Sequence, residues 1–212
     1  MVVDALEDDV TVTLLDPDSP RQSLRVAAHA LNVAQVVARL ALTVPDWQDE
    51  LSLAVSAALL QDLGMMEVPE EVFESTDLLT PTQRTLVQKH PCASVAIVQQ
   101  MRGRDDRLAD AVAQHHERLD GSGYPGHLRG NAIGPVARLL AGADSFVGIQ
   151  SPRPYRPALN AAQAIVEIDR AAAEGRLDPA WTARLRSIET HWIKIPVAPE
   201  PPSSAPAVSA RA

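Results

Sequence analysis

The segment RVAAHALNVAQVVARLAL, residues 25 to 42, is the strongest constraint on how this chain can fold. Val26, Ala30, Val33, Val37 and Leu40 recur three or four residues apart and build one continuous apolar stripe. That period belongs to an α-helix buried along one side, and it predicts a helix from about 20 to 42. Helical patterns also fit about 47 to 62, 81 to 101, 105 to 117, 133 to 149, 159 to 174 and 179 to 193. Thr80 ahead of Pro81, Asn160 and Asp178 stand where N-caps belong. Aromatic residues make up only 3% of the chain and no segment alternates clearly enough to predict a strand, so an all-α bundle of about seven helices is expected.

The 212 residues suffice for one domain with its own core, expected over 21 to 195, behind an N-terminal arm, 1 to 20. From 196 to 212 the chain is a Pro, Ala and Ser-rich tail with nothing to bury, and disorder is expected there. Cys92 is the single cysteine and cannot form an internal bridge, and it reads as a small buried residue. No secretory signal or apolar run long enough to span a bilayer is present, which predicts a cytoplasmic protein away from membranes. A formal charge of -8 disfavours DNA and RNA as partners.

Two segments, 63 to 80 and 118 to 132, interrupt the helical pattern. The second crowds Gly121, Gly123, Pro125, Gly126 and Gly130 into one connection directly after the histidine pair His115 and His116. Long ordered connections of this kind are usually functional. Asp62 lies in the apolar run AALLQDLG, where a buried carboxylate needs a partner and a metal ion is the favoured one. Histidines and carboxylates together suit divalent transition metals. Arg153 and Arg156, in SPRPYR, place guanidinium groups on a proline-stiffened loop suited to phosphate.

Taken in order, LLQDLGM (59 to 65), QKHPCAS (88 to 94), QHHERLDGSGYPGHLRG (114 to 130) and AGADSFVGIQSPRPYR (141 to 156) resemble the HD-GYP family of cyclic di-GMP phosphodiesterases, a branch of the HD phosphohydrolases. The resemblance covers about Arg21 to Ile188. It implies a helical bundle holding iron or manganese, with Asp62, His90, His115, His116 and Asp144 at metal-ligand positions. Asp62 and Asp144 would also carry the catalytic role. Gly123, Tyr124 and Pro125 would border the nucleotide, together with Arg153 and Arg156. The same loop is linked in the family to GGDEF-type cyclase partners.

Departures from the family pattern shape the expectation further. Gln22 and Gln61 stand where the resemblance implies ligand histidines, Met65 where it implies a phosphate-contacting lysine, and Val147 where it implies a second acid. Asp18 is a candidate replacement carboxylate. His29, His127 and His191 match no ligand position. The resulting expectation is about one ion per chain, held by Asp62, His90, His115 and His116, in a signalling domain that binds a cyclic dinucleotide or partner protein with weak or absent hydrolysis. The alternatives are an active phosphodiesterase and a purely scaffolding domain, and a homodimer is compatible with each.

Overall fold

The computed structural model describes residues 10 to 16, 21 to 102, 105 to 151 and 157 to 194. Asp18, Arg153, Arg156 and the tail from 196 lie outside these residues. The all-α expectation holds: helices carry the fold and its core.

Helix α1, Gln22–Leu42, matches the predicted span and buries Val26, Ala30, Val33, Val37 and Leu40 as the periodicity requires. It packs against α2, Leu51–Leu60, and α7, Pro135–Gln150, which bring Ala54, Ala57, Leu139, Leu140 and Phe146 into the same core. A 3-10 helix, Leu63–Glu67, and the short α3, Glu70–Phe73, follow α2. Further on come α4, Pro81–Val87, α5, His90–Arg102, and α6, Asp106–Gln114. Finally α8, Ala161–Ala173, and α9, Pro179–Leu185, close the bundle against α7.

Local chemistry explains where these helices start. Thr80 forms a reciprocal capping box with Gln83 ahead of Pro81, Asn160 forms one with Gln163, and the Asp178 side chain accepts from the Ala180 N–H. The single helix expected over 81 to 101 is two, with Gln88 and Lys89 in a turn between them. Pro91 has no N–H to bond the Val87 carbonyl and its ring crowds that carbonyl, so the first helix ends at Val87 and Pro91 falls in the first turn of a new helix that begins at His90.

The ends differ from the prediction in one further way. Residues 188 to 193 are not the end of a helix: α9 stops at Leu185, and Ile188–Lys194 is strand β2, paired in parallel with β1, Val10–Asp16. β1 thus falls within the span read as an arm. Val12 and Leu14 are buried, and the side chain of buried Asn32 on α1 both accepts from the Leu15 N–H at 2.7 Å and donates to its carbonyl at 2.9 Å. Cys92 is exposed rather than buried, on the outer side of α5.

Candidate metal centre

The site is assembled where α1, α5, α6 and α7 meet the segment after α2. Asp62 directly follows the C-cap of α2 and precedes the 3-10 helix. Gly64, two residues on, is packed so closely that a Cβ would overlap the His90 carbonyl oxygen and the Ser94 backbone. Its N–H donates to Ser94 Oγ at 2.8 Å, and that hydroxyl donates to the Gln61 carbonyl at 2.6 Å. This small clamp fixes Asp62 beside the first turn of α5, where His90 sits.

His90 and His115 are oriented by the backbone. The Nδ1–H of His90 donates to the Val87 carbonyl at 2.8 Å, and that of His115 to the Val112 carbonyl at 2.7 Å. A carbonyl only accepts, so each Nδ1 carries a proton and each Nε2 is left as a free lone pair in the neutral ring. Those two Nε2 atoms face each other at 3.2 Å. Asp62 Oδ1 lies 3.1 Å from His90 Nε2 and 3.6 Å from His115 Nε2. His116, just beyond the end of α6, leans its ring against Tyr124 at 4.7 Å between centroids.

The other carboxylate oxygen of Asp62 faces a second group. Oδ2 is 3.6 Å from His29 Nε2, and the same nitrogen is 2.8 Å from Asp144 Oδ1. Asp144 Oδ2 in turn lies 3.8 Å from His116 Nδ1. Two candidate ligand sets therefore share Asp62: one with His90, His115 and His116, the other with His29 and Asp144, each with its ligand atoms within 4.8 Å of one another. None of the six side chains exposes more than 19% of its surface.

Electrostatics follow from this burial. For Asp62, burial pushes the carboxyl up, but the hydrogen bonds that His115 and His90 donate from Nε2 when a proton sits there outweigh it and hold the group well below its ordinary value. Asp144 is likewise lowered against the effect of burial, chiefly by the His29 hydrogen bond. His116 is pushed well below its ordinary value by burial and by the neighbouring His115, which leaves it neutral and able to ligate. His90 shifts upward, because its bond to Asp62 outweighs desolvation. Four imidazoles and two ionised carboxylates, converging on one place, fit one or more divalent transition ions.

The structure brings together every predicted metal residue and corrects three sequence inferences. Gln22 is not at the centre: its amide donates to the Met65 and Val68 carbonyls at 2.7 and 3.0 Å and fastens the loop after α2 to α1. The histidine of α1 that reaches the centre is His29, read from sequence as solvated or structural. It lies on the Val26, Ala30, Val33 stripe, so the periodicity already placed it on the buried face. Val147 is fully buried in the apolar core and does not line the site. Gln61, by contrast, does abut the centre, with its Nε2 3.5 Å from Asp144 Oδ1. Met65 lines the adjoining cavity.

That cavity, of about 650 Å³, opens onto the centre and is bordered by His29, Asp62, His90, His116, Asp144, Tyr124 and Arg118 among others. Glu117, absent from the predicted site, holds the glycine-rich loop in place. Its buried carboxylate accepts from the Gly126 N–H at 2.6 Å and the Leu128 N–H at 3.0 Å. Gly123 is required because a Cβ there would collide with the backbone of Glu117 and Arg118. The chain then carries Tyr124 over the metal histidines and leaves the following Pro125 exposed.

A buried cluster of histidines and aspartates that could hold metal, set inside a helical bundle, is the arrangement of an HD-type domain. The family model described as HD domain matches residues 10 to 181, and the chain belongs to that family. It is 35% identical over 153 residues to a cyclic di-GMP phosphodiesterase of Pseudomonas aeruginosa, covering 71% of this chain and 36% of the relative. It is 30% identical over 150 residues to a 3'3'-cGAMP-specific phosphodiesterase of Vibrio cholerae, covering 71% and 35%. Its fold matches a solved HD-GYP-type protein of Bdellovibrio bacteriovorus with a TM-score of 0.63 at 23% identity, over 76% of this chain and 51% of that one. The chain thus spans little more than a third of the length of the curated relatives it matches. Among the described residues no helix is long and apolar enough to cross a membrane.

Proposed function

We propose that this domain is a metal-dependent phosphodiesterase that opens a cyclic dinucleotide, and that it holds iron or manganese in two positions joined by Asp62. The observation that carries this reading is the placement of His29. The expectation of one ion and weak or absent hydrolysis rested on two lost ligand histidines, at Gln22 and Gln61. With His29 beside Asp62 and Asp144, only Gln61 departs from a full set.

Ions in these positions would supply an activated water and charge neutralisation at a phosphoryl group. The chain's own residues do the rest. Asp62 presents one oxygen to each set, as a bridging carboxylate must. Tyr124, whose hydroxyl burial raises far above its ordinary value, stays protonated and can donate to a phosphate oxygen at the cavity wall. The Arg118 guanidinium, held by the Glu117 carbonyl at 2.9 Å and Ser145 Oγ at 3.3 Å, adds positive charge to the same wall. Gly123 and Pro125 flank Tyr124 and are proposed to set its place at that wall, and Arg153 and Arg156 are proposed to extend the phosphate contacts.

The substrate class rests on the names of the relatives, which act on cyclic di-GMP and 3'3'-cGAMP. The test is to load the purified chain with manganese or iron, incubate it with each nucleotide and separate the products chromatographically. Conversion to a linear dinucleotide, abolished by chelator, is the expected result. Intact nucleotide after prolonged incubation with the loaded protein counts against it. A GGDEF-type cyclase that still binds such an inert protein would favour the scaffolding reading.

A further inference from the structure

Gln61 is fully buried, and its backbone is locked at both ends. Its N–H donates to the Ala57 carbonyl at 2.8 Å, and its own carbonyl accepts from Ser94. The side-chain amide has no such satisfaction. Its Nε2 stands 3.5 Å from Asp144 Oδ1, at the outer limit of a hydrogen bond, and its Oε1 is buried with no partner among the described residues. A buried carbonyl-type oxygen without a donor is unfavourable and calls for an explanation. Oxygen and nitrogen of an amide exchange places on a half-turn of the terminal bond, so the group can present either atom to whatever lies beside Asp144. Beside anionic Asp144 alone the NH2 group is preferred. Beside a cation held by His29, Asp62 and Asp144 the oxygen is preferred, and the orphaned atom gains a partner.

We infer that Gln61 donates its amide oxygen to the ion held by His29, Asp62 and Asp144, and that this gives the chain two chemically unequal metal positions. Three oxygens and one nitrogen make that position hard and suited to Mn2+. Three imidazoles with Asp62 make the other nitrogen-rich and suited to borderline ions such as Co2+ or Zn2+. The inference rests on the proposed pair of metal positions but not on the substrate.

The test is a titration of metal-stripped protein with Mn2+, followed by electron paramagnetic resonance and equilibrium competition with Co2+. Wild type should take up two Mn2+ ions. Gln61→Leu, of similar volume without the oxygen, should weaken one binding step by about ten-fold or more and leave the other unchanged. Gln61→His should shift the preference of that same step from Mn2+ toward Co2+ by a comparable factor, and Gln61→Glu should tighten Mn2+. Should Gln61→Leu fail to fold by circular dichroism, the His and Glu variants decide. Unchanged Mn2+ steps across the variants, or a single Mn2+ in wild type, overturns the inference. A protein that shows two unequal steps governed by Gln61 yet hydrolyses no cyclic dinucleotide overturns the proposed function and leaves this inference standing.

Discussion

Two imidazole lone pairs facing each other at 3.2 Å repel unless a cation or a shared proton lies between them. For His90 and His115 the backbone bonds to Val87 and Val112 leave no other arrangement of the neutral rings. Protons and metal therefore compete for the same atoms. Because His90 is shifted above its ordinary value near 6.5, its Nε2 is freed only as pH rises through that raised value. Metal affinity should consequently increase with pH across the neutral range and fall on acidification, which isothermal titration at several pH values would show. His29→Ala should lose one ion and lower hydrolysis by about 100-fold or more, since it removes an imidazole from one of the two positions. Gln22→Ala should cost about 1 to 2 kcal/mol of stability through the two carbonyl contacts it releases, with metal content unchanged. Metal analysis and thermal melting of the two variants separate these roles. Gln22 and His29 lie two helical turns apart on one face of α1, about 10 Å along its axis. A pattern match along sequence confused them because their faces are the same; only the position of Asp62 in space decides which one arrives.

At the scale of elements, the centre depends on how tightly the segment after α2 is pressed against α5. Gly64→Ala would drive a methyl group into the His90 carbonyl and the Ser94 backbone. It should destabilise the domain by about 1 to 3 kcal/mol, as overpacking does, and should also weaken metal binding by displacing His90. Gly123→Ala would press a methyl group onto the backbone of His116, Glu117 and Arg118, and should both raise KM for the proposed nucleotide substrate and weaken metal binding at His116. The longer helices were legible from their apolar period, and α4, α8 and α9 also from their caps, with the capping boxes at Thr80 and Asn160 where the residue types placed them. The break before His90 was written in Pro91 but hidden by apolar spacing that continues across it. The β1 and β2 pair was not legible for a different reason. Val10, Val12 and Leu14 alternate with Thr11 and Thr13, yet their partners begin at Ile188, and a short strand is specified by what it packs against rather than by its own residues.

For the molecule as a whole, the metal centre joins α1, α5, α6, α7 and the segment after α2, so an ion bound there ties together elements distant in sequence. Chelation should therefore lower thermal stability. At free metal about 100 times Kd the bound ion contributes about 2.7 kcal/mol, which for a domain of this size corresponds to a shift of roughly 5 to 10 °C in Tm. Scanning calorimetry with and without chelator measures it. The clustering was legible in sequence, since Asp62, His90, His115, His116 and Asp144 all converge. The place of His29 among them was not, because it turns on a single imidazole contributed by a helix without a recognisable motif. The most direct test is anomalous X-ray diffraction from crystals grown with manganese. Two anomalous peaks are expected, one on each side of the Asp62 carboxylate, with His29 beside the peak that also touches Asp144. A single peak among His90, His115 and His116, with His29 turned away, would contradict the account.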